Sequence, residues 1–200
     1  DKMIANNWLG DKTGQGFFKK MPPSPKGEKE IHTLDLESME YKPRIKPKFA
    51  TLEAAKPVDD LYTRLKMLVA GQDKAGEFYR LFHYGLFSYI SHRIPEISDE
   101  IYRVDDAMMA GFGWEIGAFE SWDVLGVAKT TEAMKAAGYK VAAWVDEMIA
   151  AGNQSFYKVE GSKKYCYDPA TKSYKVLPGG EAFIVMSNYT DKQIWKNGSC

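Results

Sequence analysis

The stretch from Arg103 to Gly126, RVDDAMMAGFGWEIGAFESWDVLG, decides the predicted fold. Gly111, Gly113 and Gly117 interrupt it between two helix-like runs. Because glycine has no Cβ, it permits a tight reversal of the chain and a close approach of two backbones. The second run places apolar side chains at helical spacing, at Phe119, Trp122 and Leu125. The stretch therefore predicts two helices that meet at a tight corner.

Helical periodicity continues on both sides of this corner, so residues 57–152 are predicted to form about six helices. Pro57 suits the first turn of the first helix, which Gly71 ends. Asp73 can cap the second helix, and Ser98 can cap the third. Spacings of three and four residues predict the inner face of the second helix, formed by Phe78, Leu81, Phe82, Leu86, Tyr89 and Ile90.

The remaining helices of this region follow from the same spacing. The third helix turns Ile101, Val104 and Met108 inward and is broken by Gly111 and Gly113. The other three are predicted over 117–126, over 127–137 and from Val141 to Gly152.

The regions that flank the helices have a different character. After Gly152 the period changes to two, which predicts a small antiparallel meander over 153–200, with AFIVM near the end as a candidate strand. Residues 21–56 are rich in proline and lysine and are predicted to form an extended linker with little helix. Residues 1–20 are interpreted as the last helix and closing turn of an upstream domain. The chain begins at Asp1, inside a structural unit, so it is interpreted as a fragment.

Composition excludes several classes of protein. The 27 basic and 27 acidic side chains give a formal net charge of zero, which argues against a nucleic-acid-binding protein. No apolar stretch approaches membrane-spanning length, and no secretory signal opens the chain. Cys166 and Cys200 make neither a disulfide framework nor a zinc site. A soluble protein of the cytoplasm is the prediction, without a metal.

The glycine-rich stretch WLGDKTGQGFFKK, residues 8–20, invites comparison with phosphate-binding loops. The spacing from Gly10 to Gly14 is one residue too short for a P-loop, and Lys12 and Thr13 lie between the glycines. A dinucleotide-binding loop would need a third glycine where Lys19 stands. The stretch is therefore predicted to be an ordered turn.

The candidate catalytic residues do not match any recognisable catalytic motif in their spacing. His83 and His92 are nine residues apart on one predicted helix, so they point in different directions, and His32 lies in the linker. The carboxylates cluster in sequence, but caps and loop hydrogen bonds explain them more simply than acid–base chemistry. They are Asp105, Asp106, Glu115, Glu120 and Asp123. The chain is predicted to hold no active site of its own.

A basic cluster in the linker leaves two interpretations open. Its members are Lys42, Arg44, Lys46 and Lys48. They could contact the phosphates of a ligand such as coenzyme A, or they could form a solvated face of the linker, which is the more ordinary outcome.

The corner resembles a motif of the C-terminal helical domain of 3-hydroxyacyl-CoA dehydrogenases, D-x-A-M-x-x-G-x-G-x-x-x-G-P-F-E-x-x-D-x-x-G. The residues that we matched to it are Asp106, Ala107, Met108, Gly111, Gly113, Gly117, Phe119, Glu120, Asp123 and Gly126. Ala118 stands where the family often has proline. The turn WLGDKTGQGFF is similar to a second signature of the family, L-G-x-K-T-G-x-G-F-Y, through Gly10, Lys12, Thr13, Gly14, Gly16 and Phe17, with Phe18 in place of the tyrosine.

This resemblance implies a mainly α fold, the dehydrogenase C-terminal-like helical domain (also called 6-phosphogluconate dehydrogenase C-terminal-like), with a small antiparallel β extension. It implies the end of one copy of that domain in 1–20 and a second copy in 57–152. The parent protein would oxidise L-3-hydroxyacyl-CoA with NAD in fatty-acid β-oxidation. Its Rossmann domain and catalytic His-Glu dyad would lie upstream, and an enoyl-CoA hydratase domain would follow.

No position in the chain matches the NAD fingerprint or the catalytic histidine motif, so no catalytic or cofactor-binding residue is carried over from the family. The expected role is to pair with the first copy and to help wall the acyl-CoA cleft. Pairing of two chains through an exposed helical face is a further expectation. The alternatives are an autonomous acyl-CoA-binding or protein-interaction module and a structural spacer between enzymatic domains.

Overall fold

The computed structural model describes residues 2–23, 27, 30–161 and 163–179. The chain divides into two compact units, Asp1–Lys48 and Phe49–Cys200. Helices dominate, and two small antiparallel sheets accompany them, as the fold class predicted. The candidate strand AFIVM lies outside the described residues.

The first unit is a three-stranded sheet preceded by a glycine-rich turn. Its helix α1 covers Lys2–Ala5, and its strands are β1 (Phe18–Lys20), β2 (Ile31–Leu34) and β3 (Tyr41–Pro43), antiparallel in that order. The ring of Tyr41 packs edge-on against Trp8 at 5.4 Å, and its hydroxyl donates to the carbonyl of Gly16 at 2.7 Å. The sheet therefore holds the turn in place.

The prediction of an extended linker over residues 21–56 is wrong where β2, β3 and α2 form, although little of the described segment is helical. Strands β2 and β3 pair with each other, and β2 also pairs with β1 across the predicted boundary at residue 20. A helix, α2, covers Ala50–Ala55 in the second unit. Strands of three or four residues carry almost no period-two signal, and the contact of Tyr41 with Trp8 joins residues that are distant in sequence.

The described part of the second unit contains α2 and six further helices, so the prediction of about six helices in 57–152 is confirmed. They are α3 (Leu61–Ala70), α4 (Lys74–His92), α5 (Ile101–Phe112), α6 (Ala118–Leu125), α7 (Val127–Ala136) and α8 (Ala143–Ala150).

The helix ends agree with the predictions only in part. Asp73 caps α4, accepting from the Gly76 amide at 3.0 Å, as predicted. Its other oxygen accepts from the Thr51 amide at 3.0 Å and so joins α2 to the same corner. Two predicted starts are wrong: α3 begins after Asp60, whose carboxylate caps it, instead of at Pro57, and α5 begins after Glu100, without a cap from Ser98.

Helix α5 also ends later than predicted. Gly111 lies inside it, and Gly113, in the left-handed region at φ 66°, ends it. The reversal that follows leads directly into α6.

The core of the second unit centres on Trp122 of α6. The ring of Trp122 stacks on Phe87 of α4, with 4.8 Å between centroids, and touches Phe156 at 5.3 Å. Phe119 and Trp122 are fully buried, as the sequence predicted. The predicted inner face of α4 is correct for Ile90 but wrong for Phe78, Leu81, Phe82 and Tyr89, which are exposed. The helix also buries His83, Phe87 and Ser91, which were not predicted to face inward.

A three-stranded antiparallel meander completes this core. Its strands are β4 (Tyr157–Glu160), β5 (Lys163–Asp168) and β6 (Ser173–Val176), which confirms the predicted change of period. Phe156, Cys166 and Tyr167 belong to the same buried cluster as the helices. No helix among the described residues is long and apolar enough to cross a membrane.

Candidate functional site

The corner between α5 and α6 is held by the carboxylate of Asp105. One oxygen accepts from the Phe119 amide at 2.8 Å, and the other accepts from the Glu120 amide at 3.0 Å. These are among the first amides of α6, which have no carbonyl partner within their own helix. The residue that precedes α6 is Gly117, which has no side chain to cap them. Asp105 therefore caps α6 from the neighbouring helix.

Gly117 is required at this corner because Asp105 fills the space where a side chain would go. A Cβ on Gly117 would lie 2.2 Å from Cγ of Asp105. The φ of Gly117 is −74°, so its need for glycine is one of space and does not come from backbone strain.

A second carboxylate joins the corner to the meander. Asp123 of α6 accepts from the amides of Phe156 and Tyr157, at 2.6 and 2.8 Å. The hydroxyl of Tyr157 donates to Asp105 at 3.0 Å. Tyr157 therefore contacts both carboxylates, one through its amide and one through its hydroxyl.

Burial sets the electrostatics of this carboxylate cluster, which we define as Asp105, Asp123 and Tyr157. Loss of water raises the pKa of Asp105 to about 6 and that of Asp123 to about 7, against the lowering effect of their hydrogen bonds. Burial likewise raises the pKa of Tyr157 far above its ordinary value and that of the Cys166 thiol to about 12. The thiol is therefore unreactive at neutral pH.

Glu120 links the cluster to the surface. Its Oε1 accepts from the hydroxyl of Tyr62 at 2.9 Å and lies 3.3 Å from Nζ of Lys164. Asp105, Glu120 and Asp123 thus each accept hydrogen bonds from donors of their own fold. This arrangement suits the joining of α3, α5, α6 and the meander, and it does not present a carboxylate to a substrate.

The spacing of the matched motif places its aspartate at Asp105, next to the Asp106 given above. Asp105 is 3% exposed and makes the contacts between the helices, whereas Asp106 lies at the exposed surface. In the pattern D-x-A-M, one residue separates the aspartate from the alanine, so the pattern also falls on Asp105 when it is aligned on Ala107 and Met108. Periodicity could have found this, because Asp105 lies four residues after Ile101 on the inner face of α5.

The histidines have structural surroundings. His83 is buried, its Nδ1 lies 2.7 Å from the Tyr79 carbonyl, and burial lowers its pKa. His92 is exposed near the end of α4, with Nδ1 2.8 Å from the Ser88 carbonyl. His32 lies on β2, 3.4 Å from Glu30. Within the described ranges, no three His, Cys, Asp or Glu side chains group as metal ligands.

The glycine amides of the turn donate to backbone carbonyls of the first unit, so they are not free to bind a phosphate. The amides of Gly10, Gly14 and Gly16 donate to the carbonyls of Gln15, Asp11 and Phe18. The Thr13 hydroxyl lies 3.1 Å from the Gln15 carbonyl and accepts from the Leu9 amide. Gly16 packs so closely on Gly10 that an added Cβ would lie 2.8 Å from its Cα. These residues do not fit a dinucleotide such as NAD.

Of the other matched residues, Lys12 and Phe17 are exposed in the first unit, and Gly126 separates α6 from α7 at φ 87°. All four members of the basic cluster, Lys42, Arg44, Lys46 and Lys48, are exposed. Lys42 pairs with Asp35, and the Arg44 guanidinium lies 5.6 Å from the centre of the Phe18 ring. Two of the four cations therefore already have partners within the first unit.

An exposed apolar surface on α4, on α5 and between them includes four side chains that the helical spacing predicted to face inward. We define the pairing surface as the six large apolar side chains that it exposes by 43–72%: Phe78, Leu81, Phe82, Tyr89, Ile97 and Phe112. The rings of Phe78 and Phe82 stack at 6.3 Å, and Trp114 connects Phe82 to Phe112. The surface is therefore continuous.

A groove of about 540 Å³ opens within this surface, between the second half of α4 and α5. It is lined mainly by Leu86, Tyr89, Ile90, Val104, Met108 and Phe112. At one end Arg93 and Arg103 approach it, but Glu96 and Glu100 pair with them, at 2.7 Å for Arg93 and Glu96. The groove is thus apolar, with its nearby charges compensated.

Comparison with curated proteins gives relatives over most of the chain. The chain is 36% identical, over 166 residues, to a protein of Bacillus subtilis (strain 168) named as a probable 3-hydroxyacyl-CoA dehydrogenase. It is 26% and 25% identical, over 120 residues, to proteins of Rickettsia prowazekii (strain Madrid E) and Rickettsia felis (strain ATCC VR-1525 / URRWXCal2). Both are named as putative fatty acid oxidation complex trifunctional enzymes. No family model matches the chain, and no solved structure does.

The matched region is a small part of each relative. It covers 83% of this chain and 20% of the Bacillus protein, and 60% of this chain and 15% of each rickettsial protein. The chain is therefore related, over most of its length, to a region of the 3-hydroxyacyl-CoA dehydrogenase family.

Proposed function

We propose that the chain is a non-catalytic helical portion of a 3-hydroxyacyl-CoA dehydrogenase. In this proposal, residues 57–152 are a second copy of the C-terminal-like helical domain, and 153–200 lead to a downstream domain. Residues 1–20 end a first copy. The longer protein, a cytoplasmic enzyme of fatty-acid β-oxidation, would oxidise L-3-hydroxyacyl-CoA to 3-ketoacyl-CoA by hydride transfer to NAD. The upstream domains would hold the cofactor and the catalytic base.

The pairing surface is the observation that carries this proposal. A monomeric soluble protein rarely exposes a contiguous apolar patch larger than a few hundred Å². Phe78, Tyr89 and Phe112 are each more than half exposed, although the carboxylate cluster and the core are fully formed. Such a surface supports a role in which another helical domain packs against α4 and α5.

The chemistry of the described residues supports the non-catalytic part of the proposal. Asp105 caps α6, Asp123 accepts from two amides at the start of the meander, and the glycine amides of the turn donate to carbonyls of the turn and of β1. We therefore route no catalytic step through this chain. Its contribution to the reaction would be to hold other domains in place and, through them, to help wall the acyl-CoA cleft.

The test has two arms. The purified chain, shown to be folded by circular dichroism, is assayed for NADH oxidation with acetoacetyl-CoA, and no turnover is expected. The remainder of the longer protein is then mixed with the chain, and binding is measured by calorimetry for the natural chain and for Tyr89→Ser. Binding that Tyr89→Ser weakens would support the proposal, and turnover by the chain alone would refute it.

The alternative, an autonomous acyl-CoA-binding module, makes a separate prediction. It requires saturable binding of CoA that is lost when Lys42, Arg44, Lys46 and Lys48 are neutralised. It ranks second because Lys42 and Arg44 are already engaged by Asp35 and Phe18.

A further inference from the structure

We propose that the sheet of the first unit binds the surface of an anionic lipid bilayer, so that the protein lies on the bilayer without spanning it. The surface that binds is one face of this sheet, which we call the open face and define by Phe18, Lys20, Ile31 and Arg44. This binding is separate from the proposed function and involves none of the residues of the pairing surface.

The other face of the sheet is covered by the segment that precedes it. Tyr41 packs against Trp8 on that face, and the Lys19 ammonium group lies 5.3 Å from the centre of the Tyr41 ring. Leu34, directly opposite Tyr41 in the sheet, is buried. Because successive side chains of a strand point to opposite faces, the residues next to these along each strand lie on the open face.

The open face combines exposed apolar side chains with cations. Lys20 of β1 lies directly opposite Ile31 of β2. The side chains of Phe18 and Ile31 are 54% and 41% exposed. The Arg44 guanidinium group follows β3 and reaches across β2, so that it lies 5.6 Å from the centre of the Phe18 ring on β1. Two apolar side chains are thus open to solvent with cations beside them.

Charge is distributed unevenly along this sheet. Lys20 and Arg44 lie at the end where β1 and β3 finish. Glu30 is near the same end but lies on the covered face, where its Oε2 is 3.4 Å from Nε2 of His32. The turn between β2 and β3, at the opposite end, carries Asp35, Glu37 and Glu40. One end of the open face is therefore cationic.

Further cations extend this end of the sheet. Lys46 and Lys48 continue the spacing of two residues that begins at Lys42, and an extended chain places residues at this spacing on one side. The ion pairs among the described residues of the first unit use other cations, so Lys20, Lys46 and Lys48 have no carboxylate partner there. These charges are complementary to an anionic surface.

An anionic bilayer suits both the cations and the apolar side chains. Each lysine or arginine held near anionic headgroups strengthens binding to the membrane. The bilayer interface also accepts apolar side chains, and binding grows with the apolar area that it buries. A hydrated acidic polypeptide would pair with the cations but would give Phe18 and Ile31 no apolar partner. The combination of the two kinds of side chain therefore favours lipid.

The test is co-sedimentation of the whole chain with lipid vesicles. The natural chain should bind vesicles of phosphatidylcholine mixed with phosphatidylglycerol, should bind them less as salt is added, and should not bind vesicles of phosphatidylcholine alone. Lys46→Gln with Lys48→Gln should weaken binding about twentyfold, the loss expected for two cations near an anionic surface. Phe18→Ser should weaken binding about tenfold or more, because it removes buried apolar area.

Two matched controls make the same chemical changes elsewhere. Lys129→Gln with Lys140→Gln removes two exposed cations of the second unit. Phe78→Ser removes an exposed ring of the pairing surface. Both controls should bind the mixed vesicles like the natural chain. No binding to these vesicles, or equal losses in the variants and their controls, would overturn the proposal.

Soluble anions separate lipid from other anionic ligands of the same cations. Poly-glutamate and CoA are each titrated into the chain by calorimetry. Binding of either one that Lys46→Gln with Lys48→Gln abolishes, in a chain that does not bind the vesicles, would show that these lysines recognise a soluble acidic ligand and that the assignment to lipid is wrong. The proposed function is tested through Tyr89→Ser on α4, so it stands or fails independently of this result.

Discussion

The carboxyl group of Asp105 occupies the space in which a side chain at Gly117 would have to lie. The two residues are twelve positions apart, on opposite sides of the corner, and an added Cβ on Gly117 would lie 2.2 Å from Asp105 Cγ. The two residues therefore depend on each other: the Asp105 carboxylate can accept from the Phe119 and Glu120 amides of α6 only because Gly117 has no side chain.

Gly117→Ala should lower the free energy of unfolding by about 2–4 kcal/mol, because Asp105 must move and release the amides of α6. The matched control is Gly111→Ala. Gly111 lies inside α5 with no atom within 4 Å of an added Cβ, so alanine there should be neutral or raise stability by up to about 1 kcal/mol. Urea denaturation of both variants measures the difference, and equal effects would contradict the proposed coupling.

Asp105→Asn and Asp106→Asn separate the two neighbouring aspartates. Asp105→Asn should cost about 1.5–3 kcal/mol of stability, because an amide group cannot accept from the Phe119 and Glu120 amides and the Tyr157 hydroxyl together. Asp106 is exposed, and its substitution should change stability by less than about 0.5 kcal/mol. Chemical denaturation gives both values. A larger loss for Asp106→Asn would restore our first assignment of the motif.

The carboxylate cluster should make the fold less stable as pH rises from about 4 to about 7. The pKa values of Asp105, about 6, and of Asp123, about 7, lie above the unfolded value near 3.8. The folded state thus holds protons that the unfolded state has released. This contribution is fully present below pH 4 and is lost as pH rises through the folded values, by on the order of 2–4 kcal/mol for each group.

Unfolding free energy measured against pH tests this prediction through the variant Asp123→Asn. The difference between the natural chain and the variant should vary over the same window, because the variant lacks that proton. Asp73 provides a contrast in sign: hydrogen bonds from the Thr51 and Gly76 amides lower its pKa, so its contribution is lost only as pH falls below about 4. A difference curve that is flat from pH 4 to 7 would show that Asp123 titrates normally.

Phe156→Ala should destabilise the second unit by about 3–5 kcal/mol, although Phe156 lies outside the predicted helical domain. Its ring is fully buried, and its centroid lies 5.0 Å from that of Phe119 and 5.3 Å from that of Trp122. Val159→Ala, on the exposed part of β4, is the control and should have little effect. Thermal unfolding followed by near-ultraviolet circular dichroism reports on these aromatic rings, and equal melting temperatures would place the meander outside the core.

The sequence was sufficient to predict the existence of α3 to α8 and of the meander, because the signals for these elements are local. The cap at Asp73 and the inward side chains Phe119 and Trp122 follow from spacing within one helix, and the structure confirms them. The resemblance also led to the family that the relatives indicate. Two of its motif residues have structural reasons: Gly117 leaves space for Asp105, and Asp123 accepts from the amides of Phe156 and Tyr157.

Predictions that depended on which surfaces pack against each other in the folded chain were less successful. Helix α4 carries apolar side chains on two faces, and periodicity alone does not tell the buried face, with Phe87 and Ile90, from the exposed one, with Phe78 and Tyr89. Likewise, Tyr41 of β3 contacts Trp8 and Gly16, which are more than twenty residues away in the sequence. The sequences of the short strands alone do not predict these contacts.

The double contact of Tyr157 has a consequence for how the chain is made. A ribosome releases the N-terminus first, so Asp105 and Asp123 emerge well before the tyrosine whose hydroxyl and amide they accept. Until then Asp105 lacks one of its donors, Asp123 lacks both of the amides that it accepts, and Trp122 lacks the ring of Phe156. The helices can form as they emerge, but the unit reaches its final state only when the first strand of the meander has cleared the exit tunnel. In the order of synthesis, the strand that completes the helical core therefore comes after all of the helices that it contacts.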